Sequence, residues 1–186
     1  VRVHRGAAVT TVAVGDHVAL SYDSCGRCRQ CLLGHPYHCH AFFEHNFLAC
    51  RSDGSTGISG GGAPVHSHFF GQSSFATEAI ASARSVVVIP ADVPFEIAAP
   101  LGCGIQTGAG TVLNALDVPA GASVAVFGVG AVGSSALMAA RIAAAATIIA
   151  VDLLPGRLEL ARELGATHAV DAGSADPVDA IMDITG

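Results

Sequence analysis

The stretch Ser123 to Asp152, SVAVFGVGAVGSSALMAARIAAAATIIAVD, restricts the chain to few architectures. Ser123 to Phe127 is a short, mostly apolar run with two valines, the pattern of a parallel strand buried on both faces. Gly128, Gly130 and Gly133 follow, and then an Ala-rich segment of good helix propensity through Ala144. Thr147 to Val151 reads as a second buried strand, ending on Asp152. Strand, glycine turn, helix, strand and acid supply the context that a bare G-x-G-x-x-G lacks. Gly128 lets the chain turn tightly, Gly130 admits a pyrophosphate close to the backbone, and Gly133 lets helix and strand approach. The helix start offers unpaired N–H groups and a positive dipole end to phosphates. Asp152 can accept hydrogen bonds from both hydroxyls of an adenosine ribose, and its charge would repel a 2′-phosphate. The reading is therefore NAD over NADP. A ligand-free glycine turn, or FAD or another adenosine ligand, stay open on the motif alone.

The 186 residues suit one domain or two small ones, with 51% hydrophobic and 13% charged residues, enough core material to exclude wholesale disorder. A net charge of −6 with no basic run argues against nucleic acid as a partner. The longest apolar region, Ala136 to Val151, is broken by Arg141 and fits strand–helix–strand, so no membrane span is read. No signal-peptide pattern is present. The chain lacks an initiator Met and stops where another strand is expected, so it reads as a piece of a longer protein.

Cys25, Cys28, Cys31 and Cys39 form the second strong signal, CGRCRQCLLGHPYHC, or Cys-x2-Cys-x2-Cys-x7-Cys. Four thiolates can close a tetrahedral shell around zinc with no open position, the structural type of site. Gly26, Gly34 and Pro36 supply the bends. A ferredoxin run also opens with two x2 spacings, but it continues with x3 and Cys–Pro, whereas here x7 and His40 follow. Four clustered cysteines without a secretion signal favour metal over disulfides and a reducing, cytoplasmic compartment. His35, His38 and His40 lie beside the cluster, but four thiolates already saturate zinc. Cys50 reads as a buried small apolar residue.

Elsewhere, Gly15–Asp16 marks a turn with strands on either side, Val9 to Val14 before it and His17 to Leu20 after it. His4 and His17 read as residues without a ligand role. Arg51 to Pro64 is a Gly/Ser-rich loop. His66 and His68 form a His-x-His pair with no third partner nearby, and Glu78 reads as a surface residue. Val86 to Ile89 is a strand, and Pro94 sits near a helix start. Thr107 to Leu116 can form a helix before the turn at Pro119 to Gly121. Beyond Asp152 come a helix from Pro155 to Leu164 capped by Gly165, a strand at Ala169 to Asp171, and a helix from Pro177. Arg157 stands where it could contact the adenosine ribose or phosphate. Cys103 on its own reads as a buried cysteine, but Gly102 and Gly104 flank it and leave little side-chain bulk around its sulfur, consistent with close approach of a metal.

A four-cysteine loop, an isolated Gly-Cys-Gly and a Rossmann glycine turn, in this order, resemble the zinc-dependent medium-chain alcohol dehydrogenases. The resemblance runs from about Val9 to Gly186. It implies a partial GroES-like, β-rich catalytic domain over 1–100 with a structural-zinc lobe at 25–39, then the first part of a doubly wound Rossmann domain over 101–186. By the same match, GDHV at Gly15 to Val18 leads into the lobe and Cys103 is the third ligand of a catalytic zinc. Thr107 and Val132 pack near the nicotinamide, and Asp152 and Arg157 hold the adenosine ribose. The family's other two catalytic-zinc ligands and its proton-relay hydroxyl would lie upstream of Val1. HFFGQSSFAT, FFEHNF and PLGCGIQTGAG look most like the bacterial aryl-alcohol (benzyl-alcohol) dehydrogenases. What the resemblance implies is oxidation of a primary alcohol to the aldehyde by hydride transfer to NAD, with zinc as Lewis acid. Tyr22 and Phe69 are candidate pocket walls, and the complete protein would be a homo-oligomer. One departure is Ala143 to Ala146, where the family usually has a Gly between helix and second strand.

Overall fold

The computed structural model describes residues 5–186, so His4 lies outside the described residues. The chain divides into two compact units, one ending at Gly102 and the other running from Cys103 to Gly186.

The first unit is built of short elements. Gly15 at φ 98°, with Asp16 Oδ2 accepting the Ala13 N–H at 2.7 Å, makes the expected turn. Only the segment after the turn becomes a strand: β1 (Val18–Leu20) pairs antiparallel with β4 (Val86–Val88). Val9 to Val14 forms no strand, because β-propensity needs a ladder partner and a buried face; Val12 is buried but Val14 is 67% exposed. Between them come α1 (Arg29–Leu32) and α2 (Phe42–Asn46). The expected loop at Arg51 to Pro64 instead contains most of a hairpin, β2 (Ile58–Gly60) with β3 (Ala63–Val65). Gly61 and Gly62 turn it at φ 59° and 82°, the positive-φ pair that a two-residue hairpin loop requires. Both strands are exposed throughout, so the hairpin adds no core. α3 (Phe95–Ala98) follows its N-cap, Pro94, and the unit closes at Gly102, where a Cβ would overlap the Leu20 carbonyl oxygen of β1.

The second unit opens with α4 (Gly104–Gly110), earlier than expected, and continues as one wider helical turn over Thr111–Ala115. It then alternates β5 (Ser123–Phe127), α5 (Ala131–Ile142), β6 (Thr147–Asp152), α6 (Pro155–Leu164), β7 (His168–Asp171) and α7 (Pro177–Thr185). The strands form a parallel sheet in the order β5-β6-β7, with Val124 beside Ile148 and Asp152 beside Asp171. β6 is central and buried on both faces. Ile148 and Ala150 join Ala136, Leu137, Ala140, Leu158 and Ala161 in one core, while Ile149 and Val151 meet Val170, Ala180 and Ile181 in another. The sheet is thus wound by helices on both faces. β5 corrects the expectation of full burial: it is an edge strand of this sheet, alternating exposed and half-buried, with Phe127 61% exposed. No described helix is long and apolar enough to cross a membrane.

The segment without the usual glycine carries a visible cost. Ala144 stands in the left-handed region at φ 57°. Its N–H donates to Arg141 at 3.0 Å and that of Ala145 to Ala140 at 3.0 Å, a closing motif that calls for Gly at this position. α6 ends the same way on Gly165 at φ 116°. Ala144→Gly is therefore expected to stabilise the chain by about 1 kcal/mol, because it removes the Cβ penalty of that conformation. Differential scanning calorimetry should show a Tm raised by a few degrees; an unchanged or lowered Tm would contradict the reading of strain there.

Candidate metal lobe and dinucleotide turn

The lobe is local in origin. Gly26 at φ 69° and Gly34 at φ 83° bend the chain back on either side of α1, and a short helical turn at Pro36–His38 delivers Cys39. The sulfurs of Cys25, Cys28, Cys31 and Cys39 all lie within 4.8 Å of one another. Cys28 Sγ is 3.5 Å from Cys31 Sγ, and Cys25 Sγ is 3.9 Å from it. Four sulfurs about 2.3 Å from one zinc stand about 3.8 Å apart, so the spacing fits a closed tetrahedral shell. Backbone N–H groups already serve the sulfurs: Cys25 N–H donates to Cys39 Sγ and Cys28 N–H to Cys25 Sγ, each at 3.3 Å. Hydrogen bonds from backbone N–H groups, of Cys31 first and then His40, hold the Cys28 thiol down at about 6. Burial, with the neighbouring Cys28 sulfur, pushes Cys31 up to about 11. His35, His38 and His40 are exposed and outside the sulfur group. Cys50 is only half-buried, which corrects the expectation of burial.

Beside the lobe lies a polar network that sequence reasoning missed. Asn46, fully buried, accepts the Asp23 N–H at 2.9 Å and donates to the carbonyls of Asp23 and Phe42. Asp23 Oδ2 meets His45 Nδ1 at 3.0 Å, and its Oδ1 lies 3.5 Å from the Arg84 guanidinium. Arg84 also donates twice to the Ser24 carbonyl, next to Cys25. Asp23 and Arg84 lie far in sequence from His45 and Asn46 of FFEHNF, so no local pattern announces the pairing. An aromatic group, Phe42, Phe43, Phe47, Phe69 and Phe70, stacks nearby, with Tyr22 5.4 Å from Phe42. The segment that carries Phe69 and Phe70 has three non-glycine residues at positive φ, His68 (67°), Phe70 (54°) and Ser73 (54°).

The glycine turn has the geometry its spacing requires. Gly128 adopts φ 85°, unfavourable for a side chain. A Cβ on Gly130 would meet nothing within 4 Å, so the backbone there is open to a ligand group. A Cβ on Gly133 would overlap the Gly128 carbonyl oxygen, which is how closely α5 approaches the turn. Asp152, at the end of β6, is 7% exposed. Its Oδ2 accepts the Val129 N–H at 2.7 Å and its Oδ1 the Leu154 N–H at 3.0 Å. These bonds, Val129 first, hold its carboxyl below the usual carboxylate range, with the Arg157 cation adding to them. Arg157 NH1 lies 3.6 Å from Oδ2.

Cys103 is the exposed N-cap of α4, with backbone at φ −141°, ψ −85°. Its carbonyl accepts from the Thr107 N–H at 3.0 Å and from Thr107 Oγ1 at 2.8 Å. α4 lies hard against α5: a Cβ on Gly108 would overlap the Val132 carbonyl oxygen, and Ser135 Oγ donates to the Ile105 carbonyl at 2.7 Å. Thr107 and Val132 are exposed on these two packed helices. Among the described residues only the four-cysteine group can hold a metal, so Cys103, His66 and His68 complete no second metal site.

Two family models match the chain: the alcohol dehydrogenase GroES-like domain over residues 2–91 and the zinc-binding dehydrogenase domain over 131–186. Geraniol dehydrogenase of Castellaniella defragrans is 46% identical over 97% of this chain and 49% of its own length. The crystal structure of an alcohol dehydrogenase zinc-binding domain protein from Burkholderia ambifaria superposes with TM-score 0.92 and 54% identity, covering 97% of this chain and 49% of that one. Benzyl alcohol dehydrogenase from Acinetobacter calcoaceticus superposes with TM-score 0.88 and 50% identity, covering 95% and 48%. The chain thus spans about half the length of the relatives it matches. It belongs to the zinc-dependent medium-chain alcohol dehydrogenases, with a GroES-like domain bearing the four-cysteine cluster followed by the start of a Rossmann-like sheet.

Proposed function

We propose that the complete protein oxidises a primary alcohol to its aldehyde with NAD as hydride acceptor, and that the alcohol carries an unsaturated carbon next to the carbinol. The observation that carries the cofactor half is the open backbone at Gly130, next to Val129, whose N–H the buried, ionised Asp152 carboxylate accepts. NAD, when bound, supplies the hydride acceptor. The chain's own part is to receive it: the turn at Gly128 to Gly130 admits the diphosphate, the start of α5 offers it N–H groups, and Asp152 and Arg157 take the adenosine ribose. Asp152 disfavours a 2′-phosphate by charge. Thr107 and Val132 flank the nicotinamide in this reading. Cys25, Cys28, Cys31 and Cys39 hold a structural zinc that keeps the first unit folded. Cys103 supplies one ligand to a catalytic zinc, and no partner ligand stands beside it among the described residues.

The substrate half is supported by two relatives. Benzyl alcohol and geraniol both place an sp² carbon beside the carbinol, which stabilises a carbon losing hydride. The exposed rings of Phe43 and Phe69 offer apolar surface suited to such a body. On the complete protein, kcat/KM for benzyl alcohol and geraniol should exceed that for ethanol and sorbitol by about 100-fold. Equal values would favour a general aliphatic or polyol dehydrogenase. A second reading concerns these 186 residues by themselves: since Cys103 has no described partner, they bind zinc and nucleotide without oxidising alcohol. Partners are otherwise small molecules and further copies of the chain, in a reducing cytoplasmic compartment.

A further inference from the structure

Asp152 has more attachments than a ribose-binding acid needs. Val129, between Gly128 and Gly130, is 2% exposed, so water cannot readily serve its N–H. The ladder between β5 and β6 ends one residue earlier, where the Gly128 N–H donates to the Val151 carbonyl at 2.8 Å. Past that point the strands diverge, and the Val129 N–H finds its acceptor in the Asp152 side chain at 2.7 Å. The other carboxylate oxygen takes the Leu154 N–H at the start of α6, and the backbone carbonyl of Asp152 takes the Ala172 N–H at 3.1 Å. One residue thereby ties the glycine turn, the head of α6 and the end of β7. A bound ribose would not take over the carboxylate's part as acceptor for these N–H groups, since its hydroxyls donate to the carboxylate and do not reach the Val129 N–H to accept from it.

We propose that Asp152 is a positioning residue for the diphosphate site as well as a ribose acceptor: its carboxylate holds the Gly128–Gly130 turn in its ligand-receiving shape before a dinucleotide arrives. The proposal rests on the dinucleotide reading above. It implies that replacing this acid, the obvious way to alter NAD against NADP preference, also damages the phosphate cradle. The damage runs against simple electrostatics, since removing a negative charge should by itself favour a diphosphate.

A ligand without ribose hydroxyls separates the two roles. Binding of ADP and of 2′,3′-dideoxy-ADP to this chain would be measured calorimetrically for wild type, Asp152→Ala and Asp152→Asn. Ala removes both acceptors and orphans the buried Val129 N–H, so dideoxy-ADP should bind about tenfold more weakly. Asn keeps one acceptor for Val129 and should recover most of that loss while still binding ADP poorly. Amide exchange at Val129 in the ligand-free protein should accelerate in the Ala variant and much less in the Asn variant. Should Asp152→Ala not fold, Asp152→Ser, whose shorter side chain falls short of Val129, takes its place. Unchanged or tighter binding of dideoxy-ADP by the Ala or Ser variant, with only ADP weakened, would overturn the positioning role and leave the ribose role standing. If wild type bound neither nucleotide, the dinucleotide reading would fail first and this inference with it.

Discussion

Cys39→Ser is expected to unfold the first unit and to abolish zinc retention. Cys39 is 5% exposed, and its sulfur accepts the Cys25 N–H, so it closes the lobe from the far side of the bend. Besides the Asn46 network and the aromatic group, the described residues of the unit offer little else to hold it. Among the described residues its sheets are two short antiparallel pairs, one of them exposed on every residue. Its buried hydrophobic residues, Val12, Cys39, Ile89 and Ala98, are scattered, whereas both clustered cores lie in the second unit. A structural zinc contributes on the order of 10 kcal/mol or more, and a whole domain is stable by only about 5–15 kcal/mol. Losing one of four ligands therefore removes most of what keeps this unit folded. Elemental analysis should find about one zinc per wild-type chain and well under half that in the variant, and calorimetry should lose the transition that zinc supports. His40→Ala, an exposed neighbour of the same segment, should change stability by no more than about 0.5 kcal/mol. A Cys39→Ser protein that kept both its zinc and its melting profile would end the four-thiolate reading.

The parts legible in the sequence share one property: their cause is local. Cys-x2-Cys-x2-Cys-x7-Cys brings four sulfurs together because Gly26 and Gly34 can turn back within the same segment. The glycine turn, α5 and β6 follow from a contiguous stretch whose apolar runs, helix formers and glycines agree with one another. What failed depends on neighbours distant in sequence. β5 reads as fully buried from its composition, yet its burial is set by how many strands flank it, and in this sheet it is an edge. Val9 to Val14 has strand composition but no ladder partner among the described residues. The Asp23, His45, Asn46 and Arg84 network joins residues up to 61 positions apart; His45 and Asn46 lie in FFEHNF, but nothing in that stretch points to Asp23 or Arg84 as partners. The positive-φ run at His68, Phe70 and Ser73 is hidden for the opposite reason: these side chains give no local signal of left-handed backbone, which tertiary packing alone imposes. The hairpin at Gly61–Gly62 is missed because the polarity of Arg51 to Pro64 reads as a loop, although a glycine pair is itself a hairpin-turn signal.

Gly133→Ala should be among the most damaging single methyl groups that can be added to the second unit. Helix propensity predicts the reverse, since Ala is the better residue inside a helix by up to about 1 kcal/mol. The geometry decides the sign. A Cβ on Gly133 would overlap the Gly128 carbonyl oxygen and press on a Val126 methyl group at 3.3 Å, and the carbonyl is backbone that cannot rotate away. Relief requires α5 to move off β5, which drags the turn from Gly128 to Gly130 and strains the Val129–Asp152 bond. The net cost should be about 3 kcal/mol or more, with ADP affinity lowered at least about tenfold. Gly156→Ala provides the contrast, because its Cβ would meet nothing within 4 Å inside α6. That change should raise stability slightly and leave ADP binding alone. The two variants add the same atom to a helical glycine of the same sheet, so opposite outcomes isolate close approach at the turn as the cause. If Gly133→Ala bound ADP as well as Gly156→Ala does, that approach would not be what shapes the nucleotide site, and the third glycine of the motif would need another explanation.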